Sequence, residues 1–212
     1  MKTLEQVFSA IQMGVTNNKP SDDSEIPFSF IQAKCDETRQ SLLVKYVKDT
    51  GVVPANCIRI HDGVTYSTET VGGQVRTFFV LPANVLVLDR DKGIFEVWNN
   101  ARTEIWNPMT SGEYRIMKNM RWSQPSASYP SYQRQGTKVY LYFGSKNMVG
   151  YTFSLGLVHL DTSGYGLTEE YPIPQEVMEE LIAGTIAKIK DSMTTRMDNA
   201  NDSADIRTVG NP

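Results

Sequence analysis

The hydrophobic period of this chain changes twice, and that switch limits its fold more than any other feature. Apolar residues recur at helical spacing near the start, cluster in short β-branched and aromatic runs through the middle, and return to helical spacing near the end. Such a pattern suits neither a helical bundle nor a pure β-barrel. It predicts an α+β fold with N-terminal helices, a central antiparallel β-sandwich or small barrel, and a C-terminal amphipathic helix with an extended tail.

Leu4, Val7, Phe8 and Ile11 place a short helix over 3–13, with Gly14 set to stop it. A turn-rich loop over 17–24 follows, and Pro27 suits the first turn of a second helix. This helix, 28–48, carries Phe28, Ile31, Cys35, Leu42 and Tyr46 on one stripe, widened by Leu43 and Val47. Lys34, Glu37, Arg39, Lys45 and Lys48 are expected mostly to face elsewhere, and Gly51 and Pro54 end the helix.

Strands are predicted over 57–61, 64–71, 74–81, 85–88, 93–98, 103–106, 114–117, 138–143 and 151–160, between turn signals such as His61-Asp62-Gly63 and Gly72-Gly73. The stretch 123–136, rich in Ser, Gln, Tyr and Pro, has no period and is expected to be an exposed loop.

Tyr171-Pro172-Ile173-Pro174 closes this region. Two prolines one residue apart fix φ twice and withhold two backbone donors, so the sheet must stop and the next helix must leave in a set direction. That helix, 175–197, lines up Met178, Ile182, Ile186, Ile189, Met193 and Met197, with Leu181 beside them. Glu176, Glu179 and Glu180 lead it and Lys188, Lys190 and Arg196 follow, the order its dipole favours. Gly184 costs about 1 kcal/mol against alanine there, which implies tolerance or a close approach by another backbone. Beyond it only Ile206 and Val209 are apolar, so the tail is disordered alone or ordered by a neighbour. The expected segments are 1–54 helical, 55–170 β-rich, 171–198 helix and 199–212 tail.

With 212 residues, 40% of them hydrophobic, the chain is long enough to bury a real core. A net charge of −3 gives no general basic footprint, so gripping phosphate backbones over the whole surface is not expected. No run approaches the roughly 20 apolar residues of a membrane span, and Glu5 sits where a signal peptide would be apolar, so synthesis and retention in a cytoplasm are expected. Cys35 and Cys57 have no metal-binding spacing and are expected to be free thiols.

The residue patterns point to no catalytic, cofactor-binding or metal-binding set, and an enzyme is not expected. His61 falls in a turn signal and His159 among alternating apolar residues. His159-Leu160-Asp161 offers two metal ligands where zinc wants three or four. The run 89–93 resembles the start of a calcium loop, but Val97 and Trp98 stand where further oxygen donors belong. Gly164-Tyr165-Gly166 lacks the lysine and context of a phosphate loop. The residues expected to contact partners are Tyr171, Pro172, Ile173, Pro174, Ile186, Met193, Met197, Ile206 and Val209, with Trp122, Tyr129 and Tyr132 from the aromatic set. An alternative function is a β-sandwich binding module for carbohydrate or protein on a helical docking base. Its mark would be Trp98, Trp106 and Trp122 converging on one exposed face.

The early helix bearing Ile31-Gln32-Ala33-Lys34 and Thr38-Arg39-Gln40-Ser41-Leu42-Leu43-Val44, the β-rich middle, and Tyr171-Pro172-Ile173-Pro174-Gln175-Glu176-Val177-Met178 leading the last helix resemble the neck, or head-tail connector, proteins of short-tailed bacteriophages. The nearest group is the ring proteins of crAss-like phages. The resemblance implies a virion component assembled in the host cytoplasm, a homo-oligomeric ring of about twelve copies below the portal. Such a ring would extend the DNA channel, come close to the channel DNA without sequence preference, and bind the portal and adjacent neck or tail rings. It implies no membrane contact and no cofactor.

Overall fold

The computed structural model describes residues 2–16, 26–88, 92–117, 120 and 124–201; the side chains of Ser111 and of 194–201 lie outside that description. The fold is α+β, with four helices and one eight-stranded sheet among the described residues. The chain divides into two compact units: 57–160 forms one, while 1–56 and 161–212 together form the other. In sequence the β unit is thus inserted between two parts of a helical unit. The stretch 161–170, expected to close the β-rich region, belongs to the helices.

The helical unit contains α1 (Leu4–Val15), α2 (Phe28–Thr50) and α4 (Met178–Asn201). Thr3 and Gln6 form a capping box that starts α1. Gly14 does not stop α1, which runs through it. A Cβ there would lie 2.3 Å from Ile186 Cδ1, so the glycine is a notch that seats a side chain of α4. Gly184 is a second close approach, with Thr38 Cγ2 3.2 Å from where its Cβ would be. α2 ends as expected at Gly51, whose φ of 73° is left-handed and whose N–H donates to the Val47 carbonyl.

α2 and α4 run antiparallel, because Glu37 bonds Lys188 while Lys45 lies beside Glu180. On α4 the fully buried positions are Leu181, Thr185 and Ile189, so the core stripe is rotated from the expected one and Ile182 and Ile186 sit at its margin. The Thr185 hydroxyl donates to the Leu181 carbonyl at 2.8 Å, which lets a hydroxyl share an apolar face.

The β unit contains β1 (Ile58–Val64), β2 (Ser67–Val71), β3 (Gln74–Val80), β4 (Ile94–Asn99), β5 (Ile105–Pro108), β6 (Ser131–Gln135), β7 (Lys138–Tyr142) and β8 (Phe153–Val158), with α3 (Ser111–Met117) between β5 and β6. The strand order is β1-β8-β4-β5-β6-β7-β3-β2, antiparallel except for the parallel pair β5–β6. β1 and β2 are the two outer strands, yet only Thr65 and Tyr66 join them. Three Cα steps reach about 11 Å at most, so the sheet must curl until its two edges meet at that corner. The result is a half-barrel.

Trp106, Phe79, Val97, Val139, Phe153, Leu155 and Leu157 belong to its hydrophobic core. The Trp106 indole meets Phe153 edge-on at 5.1 Å, and its N–H donates to the Tyr151 hydroxyl at 3.3 Å. Tyr151 in turn donates to Glu104, which takes the Lys146 ammonium. A half-buried polar chain thereby satisfies the one donor the core tryptophan brings. Burial, then the bond to Glu104, push the Tyr151 phenol up to about 12.

Three local expectations are corrected. The predicted strand over 114–117 is the end of α3, because Thr110 and Glu113 exchange side-chain bonds with each other's backbone N–H and form a capping box. The predicted loop 123–136 contains β6, paired with β7 through the two-residue turn Gly136-Thr137, where Gly136 has φ of 65°. The predicted strand over 85–88 is reduced to a single bridge, Val85 to His159.

Candidate functional site

Three arrangements carry chemistry or contact potential. The first is the segment 161–174, which is fastened to the helices along its whole length. The N–H groups of Leu4 and Glu5, unpaired by α1 itself, donate to the carbonyls of Glu169 and Leu167. The Tyr171 N–H donates to Lys2, and Asn56 donates its amide to the Ile173 carbonyl at 2.7 Å. The prolines remove donors but keep acceptors. Arg39, wholly buried, supplies what is missing, as its Nε donates to the Pro172 carbonyl at 2.8 Å. The expected outward orientation of Arg39 is therefore wrong, and the reason is this carbonyl, which no sheet neighbour serves.

Asp36 and Cys35 complete the fastening. The Asp36 carboxylate accepts the Thr162 N–H at 3.2 Å and its hydroxyl at 2.9 Å. Burial raises the Asp36 carboxyl above its usual value, against the lowering effect of those two bonds. The Cys35 thiol and Tyr171 hydroxyl share a bond of 3.1 Å. Burial pushes Cys35 up to about 11 and raises Tyr171 well above the ordinary phenol value, so at neutral pH both are uncharged. Cys35 is a packing thiol, since the thiolate is the reactive form.

These contacts change the reading of the expected partner residues. Tyr171, Pro172, Ile173 and Pro174 are buried inside the helical unit, where their bonds and packing serve this chain. Tyr132 is core of the half-barrel at 4% exposure. Ile186 is half-buried at the Gly14 notch. Met193, 37% exposed, and Tyr129, 73% exposed, remain open to contact. Trp122, Ile206 and Val209, and the side chain of Met197, lie outside the described residues. As for the tryptophan face, Trp106 is core and Trp98 lies against Gly156 with Arg102 over its ring, so these two do not share an exposed platform.

The second arrangement is a histidine pair. His61 belongs to β1, not to a turn, and its Nε2 lies 2.8 Å from that of His159, the rings stacked 18° from parallel. One nitrogen must donate and the other accept, so both rings cannot be protonated comfortably. Burial, then Arg59, lower the His61 pKa. Among the described residues no third His, Cys, Asp or Glu joins them to complete a metal-binding group.

The third is an open groove of about 680 Å³ on the β unit, over β3, β7 and β6 and beside α3. Arg76, Arg115, Tyr114, Tyr140, Tyr142 and Gln133 line it with other glutamines, and no aspartate or glutamate does among the described residues. The rings of Tyr114 and Tyr142 meet with centroids 4.3 Å apart, tilted by 30°. The Tyr142 hydroxyl donates to Gln133 at 3.0 Å. Overall composition hid this site, because a net charge averages over the chain. The signal that finds it is local: residues 114–160 hold no acid at all, but include Arg115, Lys118, Arg121, Arg134, Lys138 and Lys146.

No protein-family model matches this chain, and no curated protein sequence is significantly similar to it.

Proposed function

We propose that the chain is a structural subunit of a virus particle, a ring component in the neck of a short-tailed bacteriophage that extends the DNA channel below the portal and receives tail proteins. The observation that carries this reading is how α4 is launched and where it goes. Its base is fixed by the bonds to Glu169, Tyr171, Pro172 and Ile173, and among its described side chains the last fully buried one is Ile189. The helix then continues through exposed Met193 to Asn201, about 18 Å past Ile189 at the usual rise. A fixed base followed by a long helix with an exposed side chain at Met193 suits a closed ring, where one face of a subunit meets a different face of the next.

The helical unit also offers a groove of about 630 Å³ of mixed character, lined by Phe8, Phe28, Ile31 and Leu167 together with Glu5, Ser9 and Gln12, with Phe28 and Leu167 about half exposed. Grooves of this kind receive helices or extended segments from partners. The test is negative-stain microscopy of the purified protein with its portal. The wild type should be monomeric or weakly associated alone and should add a ring to the portal. Met193→Asp should keep the wild-type melting curve and lose the ring. Normal rings from that variant would remove α4 from the contact.

A further inference from the structure

We propose that the groove beside Phe28 and Leu167 is the seat of this chain's own residues 202–212. The seat is on the same subunit, so this proposal stands or falls apart from the ring reading.

The groove lies where the first turns of α1, the start of α2 and Leu167 come together, all within the helical unit. Phe8 and Ile31 are buried there, while Phe28 and Leu167 stand about half exposed and lose apolar area to water only if something covers them. Glu5 adds a charge. Its N–H donates to the Leu167 carbonyl at 3.0 Å, which joins the two residues in one rim, and among the described residues no side chain bonds its carboxylate. A fitting occupant therefore brings apolar anchors with a cation beside them.

Residues 202–212 carry that set. Ile206 and Val209 are the anchors, and side chains three apart fall on one side of a helical turn or of a polyproline II segment. Arg207 lies between them. The acids Asp202 and Asp205 both precede Ile206, so the stretch 206–209 is net positive and meets Glu5 with opposite charge. The linker 17–25 between α1 and α2 is the other neighbouring stretch, but it holds Asp22, Asp23 and Glu25 and no aliphatic or aromatic side chain beyond Pro20. It brings no anchor, and its acids repel Glu5.

Reach favours the same subunit. α4 runs antiparallel to α2 with Lys188 at Glu37, Glu180 beside Lys45 and Gly184 against Thr38, and carrying that register along both helices sets Phe28 level with 194–197. Asn201, the last residue of α4, then stands about 6–10 Å past Phe28 along the axis and about 10 Å to its side, one helix spacing. Five further residues span up to about 18 Å, enough to bring Ile206 back to Phe28. So short a linker holds the segment at an effective concentration of about millimolar, where modest affinity suffices. A partner segment entering the groove must displace it.

Arg207 supplies the test, because trypsin cuts after arginine and reaches exposed, unfastened chain first. The full chain is digested briefly, and loss of 208–212 is followed by intact mass spectrometry against a synthetic peptide of 202–212. Cleavage of the wild type at Arg207 is expected to be at least about tenfold slower than that of the peptide. Leu167→Asp should bring it to within about twofold of the peptide, and Glu5→Gln should raise it several-fold. Should Leu167→Asp melt early, Phe28→Ala serves in its place, with a several-fold rise expected. The proposal is overturned if the wild type is cut as fast as the peptide, or if a folded Leu167→Asp chain keeps full protection, the result expected when another surface holds the segment. It is equally overturned if protection fades on dilution, since the seat then belongs to a second copy. Rings on the portal from a chain unprotected at Arg207 would remove this proposal and leave the ring reading in place.

Discussion

Tyr171→Ala is expected to cost the helical unit about 3–5 kcal/mol, the range for removing a fully buried aromatic ring. Tyr171 has no exposed surface, meets Phe8 edge-on at 6.2 Å, and bonds Cys35 through its hydroxyl. Its loss opens a cavity where the segment 161–174 grips α2. Against a usual total of about 5–15 kcal/mol, a loss of that size leaves the unit marginal. Tyr171→Phe keeps the ring and loses only the bond to a thiol, so about 1 kcal/mol is expected. Urea unfolding followed by far-ultraviolet circular dichroism measures both, because most of the helix lies in α1, α2 and α4. If the alanine variant stays within about 1 kcal/mol of wild type, the segment is not the anchor described above.

Trp106→Ala is expected to destabilise the β unit by a similar amount, about 3–5 kcal/mol. The indole is 1% exposed and touches Phe143, Tyr151 and Phe153. Removing it also strips a donor from Tyr151, whose hydroxyl then relies on Glu104. Trp106→Phe should cost less, because a ring still packs against Phe153. Trp98, Trp106 and Trp122 all fall within 57–160, so tryptophan fluorescence follows this unit and circular dichroism mainly follows the other. Trp98 and Trp122 remain as reporters in the variant. An unchanged fluorescence midpoint would mean that the half-barrel does not depend on this core.

The period of the apolar residues made the α+β fold legible, since 28–48 and 175–197 could bury a stripe only as helices. It could not show where the sheet gives way to the helical unit. Residues 161–170 have no period, and their place follows from backbone bonds to Leu4 and Glu5 that leave no mark on composition. Arg39 shows the same limit. A charge on a helix looks like surface until the fold brings a proline carbonyl to it.

α3 and β6 were legible in principle. Thr110-Ser111-Gly112-Glu113 is a capping box, and Gly136-Thr137 is a two-residue hairpin turn, but β-branched and polar composition argued the other way. The launching segment was found from its prolines, yet its buried residues were expected to face partners. Proline fixes direction and says nothing about burial. The groove was missed because its signal is an absence of acid along one stretch, and a net charge of −3 conceals it.

A cryo-electron microscopy reconstruction of the particle that carries this chain decides whether it forms the proposed ring in a virus neck. The subunit is expected in a closed ring beneath the portal, with Met193 and the end of α4 against a neighbouring subunit. A complete reconstruction with no such ring, together with absence of the chain from the purified particle by mass spectrometry, would contradict it.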